Sequence, residues 1–223
     1  MTAALRSSVE TRIVGRPVLP LVPGDGPVYV LVIGEAPGPR GADKSGIPFF
    51  GDAAGKHLYQ VLARLRAVTL PLAIEQLPWD GACFRDAALR PVAHGVALGN
   101  AYDCCPTDDG VSFRAPSRAE LEGRGNVQRL THELDVLRAR GLCGVVTLGR
   151  VAARTMDVVL ARTPMSTLVR RAVPHPSAQG LLSMAPNRGK GARMSDLQEA
   201  WMQQCGAMIG EAGYPVRSVE AVT

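Results

Sequence analysis

A carboxylate, a carboxamide and an imidazole occur where three apolar, strand-like stretches of the sequence end. They belong to Glu35, Asn100 and His175. Because the carboxyl ends of parallel strands meet at one edge of an open α/β sheet, these side chains can converge on one cleft. Such a set can perform acid–base chemistry and recognise a polar ligand. Each residue also has a simpler interpretation: Asn100 can cap a turn, His175 can be a rigid loop residue between prolines, and Glu35 can accept hydrogen bonds from loop N–H groups. The spacing of these residues alone leaves the functional and the simpler interpretations open.

The loop that follows the first of these stretches is rich in glycine and proline. It covers residues 34–55 and lets backbone N–H groups approach a substrate closely. A phosphate loop is disfavoured, because the segment 51–57 has one residue too few between its glycines and ends in His57 where serine or threonine is needed. The segment 38–45 has Asp43 where that motif requires glycine. We therefore do not expect a nucleotide triphosphatase.

Strands and helices alternate along the chain and would position these groups. Apolar runs predict buried strands, while helical spacing of apolar residues after a capping residue predicts helices. The predicted strands are 28–33, 96–102, 142–148 and 167–173, and the predicted helices are 53–66, 118–140 with a break near 123–125, one opening at Gly149, and 195–208. This order predicts a three-layer α/β/α sandwich with a central, mostly parallel four-stranded sheet in a single domain, 1–223. Residues 1–25 are expected to form a loose N-terminal arm, and residues 210–223 a frayed tail.

The composition favours a globular protein. Apolar residues make up 46% and charged residues 20% of the chain, and a net charge of +5 suggests a polyanionic partner. No apolar run reaches the ~18–20 residues of a membrane span, and the first 25 residues lack the apolar block of a signal peptide. The five cysteines have no regular spacing, so reduced thiols in a cytoplasmic protein are expected.

An ordered set of segments resembles the uracil-DNA glycosylase superfamily. Segments 34–38 (Gly-Glu-Ala-Pro-Gly), 46–51 (Gly-Ile-Pro-Phe-Phe-Gly) and 54–55 (Ala-Gly) look like its motif A, and segment 175–177 (His-Pro-Ser) looks like motif B. Segment 99–106 is similar to the asparagine-bearing strand end of that family, and segment 148–153 to its strand-to-helix junction. Motif A is closest to the iron–sulfur bacterial type.

Other features depart from the iron–sulfur type. Such a cluster needs four thiolates, but no cysteine precedes Cys83 and only Cys104 falls where a ligand would lie. No iron–sulfur cluster, other cofactor or metal is therefore expected. The loop 40–46 resembles the fifth family of these glycosylases, and the stretch 186–191 resembles the single-strand-selective monofunctional type.

The resemblance implies a monofunctional hydrolase that flips uracil out of DNA and breaks its N-glycosidic bond. As catalytic residues it implies Glu35, which orients the attacking water and faces the cationic sugar, and His175, which hydrogen-bonds uracil O2. Phe49 is implied as the stacking platform and Asn100 as the reader of the uracil edge. The other substrate-binding residues that it implies are Gly34, Ala36, Pro37 and Ser177.

Contacts with DNA are expected from the basic stretch around His175. Residues 158–194 contain six basic residues and no acidic ones. The expected DNA-binding residues are Arg170, Arg171, Arg188 and Lys190, with Leu181 (or its neighbours Leu182 and Met184) as a wedge in the base stack. Two other interpretations stay open. One is a non-catalytic protein of the same fold that binds DNA or damaged bases, and the other is an α/β protein that binds a small molecule or nucleotide.

Overall fold

The computed structural model describes residues 12–77, 79–85, 89–163, 167–186 and 191–215. Its elements in chain order are β1 (Val30–Gly34), α1 (Ala42–Ser45), α2 (Ala53–Arg64), β2 (Val68–Thr69), a 3₁₀ helix (Gly81–Arg85), β3 (Val92–Ala93), β4 (Val96–Asn100), α3 (Arg118–Glu122), α4 (Arg124–Ala139), β5 (Gly144–Leu148), α5 (Arg150–Leu160), β6 (Val169–Val173), α6 (Ala178–Leu182) and α7 (Met194–Glu211).

The central sheet has four strands in the order β4-β1-β5-β6, and all three pairings are parallel. The register pairs Gly34 with Asn100 and Leu148 with Val173, so the carboxyl ends of these strands share one edge. Strands β1, β4 and β5 are buried along their whole length, as expected for parallel strands covered on both faces. The predicted sheet and the alternation of strands with helices are confirmed.

Helices cover both faces of the sheet, which makes the three layers. Alternate residues of β1 point to opposite faces. Val30 and Val32 join the core cluster that includes residues of α2 and α7, while Leu31 and Ile33 join the cluster that includes residues of α4 and α5. Within the part of the chain described here, no helix is long and apolar enough to span a membrane.

Two predicted helix starts and one predicted break are confirmed. Asp52 caps α2 by accepting a hydrogen bond from the Gly55 N–H at 2.6 Å. Ser117 caps α3 in a capping box with Glu120. Gly123 is extended, with ψ of 147°, and separates α3 from α4.

The N-terminal arm is not loose over residues 12–25, which corrects that expectation. Leu21 forms an antiparallel bridge with Leu98, and each backbone N–H donates to the other's carbonyl at 2.9 Å. This bridge satisfies polar groups on the open edge of β4. The N–H groups of Val14 and Gly15 donate to the Asp43 carboxylate, each at 2.8 Å. Residues 1–11 lie outside the described residues.

The predicted frayed tail is also wrong at its start. Helix α7 continues to Glu211, and Tyr214 is only 8% exposed. The Tyr214 hydroxyl donates to the carbonyl of His94 at 3.2 Å, which fixes this end against the strand region. Residues 216–223 are outside the described part of the chain.

Two glycines in the first turns of helices offer a matched test of this packing. A Cβ at Gly55 would lie 1.6 Å from the Phe49 carbonyl oxygen, whereas a Cβ at Gly125 would meet nothing within 4 Å. We expect Gly55→Ala to cost roughly 2 kcal/mol and to lower the melting temperature by about 4–8 °C. We expect Gly125→Ala to leave stability unchanged or to raise it by up to about 1 kcal/mol. Thermal unfolding measures both, and a Gly55→Ala protein as stable as the parent would contradict the packing.

Candidate active site

One cavity of about 1080 Å³ lies at the carboxyl edge of the sheet and is lined by both Glu35 and His175. Its walls come from the loop after β1, the start of α2, the junction between β5 and α5, and the segment that follows β6. The polar or charged side chains among its lining residues belong to Glu35, Asp52, Arg150, His175, Ser177, Gln179 and Ser183. The two residues predicted to be catalytic therefore share one cavity.

Glu35 follows the last residue of β1 and is partly buried. Burial raises the pKa of Glu35 above its usual value of 4.5, because the desolvated carboxylate is less stable than the neutral acid. The carbonyl of Glu35 accepts a hydrogen bond from the Tyr102 N–H at 2.9 Å, which ties the loop to the chain beyond β4. The backbone at Glu35 is therefore fixed, and its carboxylate is more basic than an exposed one.

His175 is held as a neutral imidazole with a defined tautomer. The backbone N–H of Ser177 donates to Nδ1 of His175 at 3.2 Å, so Nδ1 carries a lone pair and the proton lies on Nε2. Burial lowers the pKa of His175, while the nearby Asp52 carboxylate opposes this effect. A neutral imidazole of this tautomer is a hydrogen-bond donor through Nε2.

The backbone around His175 is closely packed. A Cβ at Gly180 would lie 1.9 Å from the His175 carbonyl oxygen, so only glycine fits there. The indole N–H of Trp201, which is fully buried in α7, donates to the carbonyl of Pro174 at 2.8 Å. Helix α7 thus fixes the segment that carries the imidazole.

Asp52 is a second carboxylate in the cavity, and sequence reasoning gave it only the role of a helix cap. Burial raises the pKa of Asp52, while the Gly55 N–H and the charge of His175 act against this shift. The loop backbone packs over the carboxylate, since a Cβ at Gly41 would lie 2.7 Å from Oδ2 of Asp52. The effect of Asp52 on His175 requires that the two residues lie close together in the fold. They are 123 residues apart in the chain, so the local sequence around Asp52 does not predict this effect.

Phe49, the predicted stacking platform, lines the cavity, and Phe50 is fully buried. Phe49 has a φ of 62°, in the left-handed region that residues other than glycine rarely adopt. Hydrogen bonds to the carbonyls on either side hold this conformation: Tyr59 donates to Pro48 at 2.9 Å and Ser45 donates to Phe50 at 2.8 Å. Such locally strained residues often occur at functional sites.

Asn100 lies beside the cavity and is not among its lining residues. It is 3% exposed, and its Nδ2 is a buried donor with no acceptor. The Cβ position of Gly34 is 2.4 Å from a ring carbon of Phe49 and 3.7 Å from Oδ1 of Asn100, so both side chains approach this glycine. A buried donor without a partner costs roughly 1–3 kcal/mol, and a ligand acceptor would remove that cost.

The other predicted binding residues divide into two groups. Ala36 and Ser177 line the cavity, and Ser177 also caps α6 through the Gly180 N–H at 3.4 Å. Gly34 and Pro37 are buried outside the lining.

The three predicted DNA contacts that the structure describes, Arg170, Arg171 and Leu181, do not line the cavity. Arg170 is paired with Asp157 and Arg171 with Glu211, and neither arginine lines the cavity. Leu181 is only 2% exposed, because it belongs to the same core cluster as α7, and this burial corrects the expectation that it wedges into DNA. Arg188 and Lys190 lie outside the described residues.

Of the five cysteines, Cys104 is partly buried, and Cys105 and Cys205 are buried. The expected absence of an iron–sulfur cluster stays a prediction. Burial raises the pKa of the Cys104 thiol to about 11 and those of the Cys105 and Cys205 thiols to about 12, so these thiols stay protonated at neutral pH. Cys205 is fully buried in α7, apart from the other two. Over the ranges that the structure describes, no three His, Cys, Asp or Glu side chains are grouped to hold a metal ion.

The raised pKa of Glu35 means that its ionised form lowers the stability of the folded protein, and this loss can be measured. In the folded state the pKa lies above 4.5, so ionisation opposes folding as the pH rises through that value and beyond. Glu35→Gln should therefore raise the melting temperature at pH 7–8, and the gain should vanish below about pH 4, where both states are protonated. Thermal unfolding across this range measures the effect, with the exposed Glu75→Gln as the matched control. A Glu35→Gln protein that is less stable than the parent at pH 8 would contradict the burial argument.

Comparisons with known proteins show the family of this chain. The family profile described as Uracil DNA glycosylase superfamily matches residues 23–201. A type-5 uracil-DNA glycosylase from Thermus thermophilus is 37% identical over 83 residues, which is 37% of this chain and 32% of the relative. The chain therefore matches only about a third of that relative's length.

Among solved structures, wild-type SMUG2 from Pedobacter heparinus aligns with a TM-score of 0.46 and 11% identity, over 82% of this chain and 76% of that one. The family match covers well over half of the chain and includes Glu35, Asn100 and His175. The chain therefore belongs to the uracil DNA glycosylase superfamily.

Proposed function

We propose that this protein is a monofunctional uracil-DNA glycosylase that extrudes uracil from DNA and hydrolyses its N-glycosidic bond. The observation that carries this proposal is one cavity lined by a partly buried carboxylate, Glu35, and a neutral imidazole, His175. The family match and the partial similarity to a type-5 uracil-DNA glycosylase support the same activity. The products are free uracil and an abasic site.

Recognition of the base falls to Phe49 and Asn100. The ring of Phe49 supplies a stacking face, which for one base is worth about 1–3 kcal/mol. The Asn100 amide and the Phe49 ring both approach Gly34. Nδ2 of Asn100, which has no partner among the residues that the structure describes, would donate to uracil O4, while Oδ1 would accept from N3–H. Cytosine presents the opposite donor and acceptor order at these positions, so the amide discriminates against it.

Departure of the base is assisted by His175. As the bond between C1′ and N1 breaks, its electron pair moves onto the base and negative charge grows on O2. The Nε2–H group donates to that oxygen, and a preorganised donor of this kind accounts for about 10²–10³ in rate. A neutral imidazole with its proton on Nε2 supplies this donor at neutral pH, which agrees with the lowered pKa of His175.

Addition of water is directed by Glu35. Its carboxylate orients the water toward C1′, stabilises the cationic sugar and accepts the proton that the water loses. Asp52 adds a second carboxylate to the same cavity, close enough to His175 to oppose the lowering of its pKa. None of the described residues that line the cavity is a lysine, which supports hydrolysis without a Schiff-base lyase step.

Single substitutions test these roles. Glu35→Ala and His175→Ala should each lower the single-turnover excision rate at least about 100-fold, because each removes a group that acts on the transition state. The assay incubates a uracil-containing oligonucleotide with the protein and then cleaves abasic sites with alkali. The control is Glu75→Gln, an exposed carboxylate that lies outside the cavity, and it should match the parent. Intact strands with the parent protein, together with a retarded band on a gel, would favour the non-catalytic DNA-binding alternative.

Contact with phosphate at the cavity mouth is proposed for Arg150. This exposed residue opens α5, lines the cavity and has no ion-pair partner in the described part of the chain. Arg150→Ala should reduce the slope of log K against log salt on duplex DNA by about 0.9, the value for one phosphate contact. Arg170→Ala should change it less, since Arg170 is already paired with Asp157. Fluorescence anisotropy at several salt concentrations measures both slopes, and an unchanged slope for Arg150→Ala would contradict this contact.

A further inference from the structure

Phe113 is an exposed aromatic side chain that borders the same cavity. The chain has four phenylalanines, of which Phe50 and Phe84 are fully buried and Phe49 is partly buried in the cavity wall. Phe113 is 48% exposed, and it lines the cavity together with Ala115. The function proposed above uses Phe49 and leaves Phe113 without a role.

The loop that carries Phe113 is held by its own hydrogen bonds. Asp109 accepts from the backbone N–H groups of Val111 at 2.8 Å and Ser112 at 2.6 Å. The Thr107 hydroxyl donates to the same carboxylate at 3.1 Å, and Thr107 also forms an antiparallel bridge with Phe113. These hydrogen bonds fix the backbone of residues 107–113, including Phe113.

Two further contacts anchor this loop to the rest of the molecule. Arg114 binds both carboxylate oxygens of Glu120 at 2.8 Å, and it also pairs with Asp108 at 2.8 Å. The backbone N–H of the buried Ile13 donates to the carbonyl of Gly110 at 2.8 Å. The ring of Phe113 is thus exposed on a fixed loop, so little conformational freedom is lost when a ligand covers it.

Extrusion of a nucleotide leaves a gap in the base stack that an exposed aromatic ring can fill. When one base leaves the duplex, its neighbours lose a stacking partner, and proteins that deform DNA often insert an apolar side chain into the gap. Among the residues expected to do this from the sequence, Leu181 is only 2% exposed, and Leu182 and Met184 are partly buried and pack against the same core cluster. Phe113 is exposed at the border of the cavity that would receive the extruded base.

We propose that Phe113 stacks on a DNA base that neighbours the extruded nucleotide and fills the gap that extrusion leaves. This inference rests on the proposed function for the identity of the ligand. Arg150, which lines the same cavity and is exposed, supplies positive charge on the side where the phosphate backbone would pass. The partner is DNA, because an exposed aromatic ring and an exposed cation that border the same cavity match its bases and phosphates.

A tryptophan at this position provides a readout that does not depend on catalysis. Indole fluorescence should be quenched in Phe113→Trp when the protein binds a duplex with one tetrahydrofuran abasic analogue, since the indole stacks on a base. The parent protein contains Trp79 and Trp201, and its own signal change is subtracted. A fully paired duplex should quench Phe113→Trp less.

Removal of the ring should weaken the same complex. We expect Phe113→Leu to bind the abasic-analogue duplex about 5- to 100-fold more weakly than the parent, the range for one stacked base. Leucine keeps an apolar side chain of moderate size, so the loop should fold as before. Val111→Ala is the matched control, because Val111 is 57% exposed in the same loop and does not line the cavity.

The outcomes separate this inference from the proposed function. Quenching in Phe113→Trp with no excision of uracil would support stacking and contradict the glycosylase activity. Excision with neither quenching nor weaker binding by Phe113→Leu would overturn the stacking role and leave the activity standing. Equal losses in Phe113→Leu and Val111→Ala would also overturn it, since a specific ring contact could not explain them. A protein that does not bind either duplex would overturn both.

Discussion

The parallel pairing of β1 with both β4 and β5 is the constraint on which the rest of the structure depends. It places the ends of these strands at one edge, with Gly34 beside Asn100. Strand β6 extends the sheet on the far side of β5 and brings His175 to the same edge. Groups separated by up to 140 residues in sequence therefore border one cavity region.

Loop packing then converts this shared edge into a site with defined chemistry. Gly55 allows the Phe49 carbonyl to approach α2, and Gly180 allows the His175 carbonyl to approach α6. Burial shifts the pKa values of Glu35 and His175 in opposite directions. It raises the pKa of Glu35, which makes the carboxylate a stronger base, and it lowers the pKa of His175, which keeps the imidazole neutral. Among the residues that the structure describes, the buried Nδ2 of Asn100 has no acceptor. The desolvation of Glu35 and this unpaired donor both oppose stability, as expected where a site is organised for a ligand.

Much of the fold could be predicted from local sequence. The apolar run before Gly34 predicts a buried strand, and the capping roles of Asp52 and Ser117 follow from residue type and position. The break at Gly123 follows from the low helix propensity of glycine. The convergence of Glu35 and His175 could also be predicted, since it requires only parallel strands.

The missed features depend on contacts between distant segments. Residues 12–15 are held by the Asp43 carboxylate, and the sequence of residues 1–25 does not predict this contact. Whether Leu181 faces solvent or the core is set by the packing of α6 against α7, which a short apolar segment does not specify. The electrostatic role of Asp52 likewise depends on the approach of His175.

A structure of the protein bound to a duplex that contains one non-hydrolysable 2′-deoxyuridine analogue tests the central claim most directly. The account predicts an extruded uracil ring on the face of Phe49, with Nε2 of His175 within hydrogen-bond distance of O2 and Nδ2 of Asn100 within hydrogen-bond distance of O4. A complex in which the analogue stays stacked in the duplex, or lies away from Glu35 and His175, would contradict it.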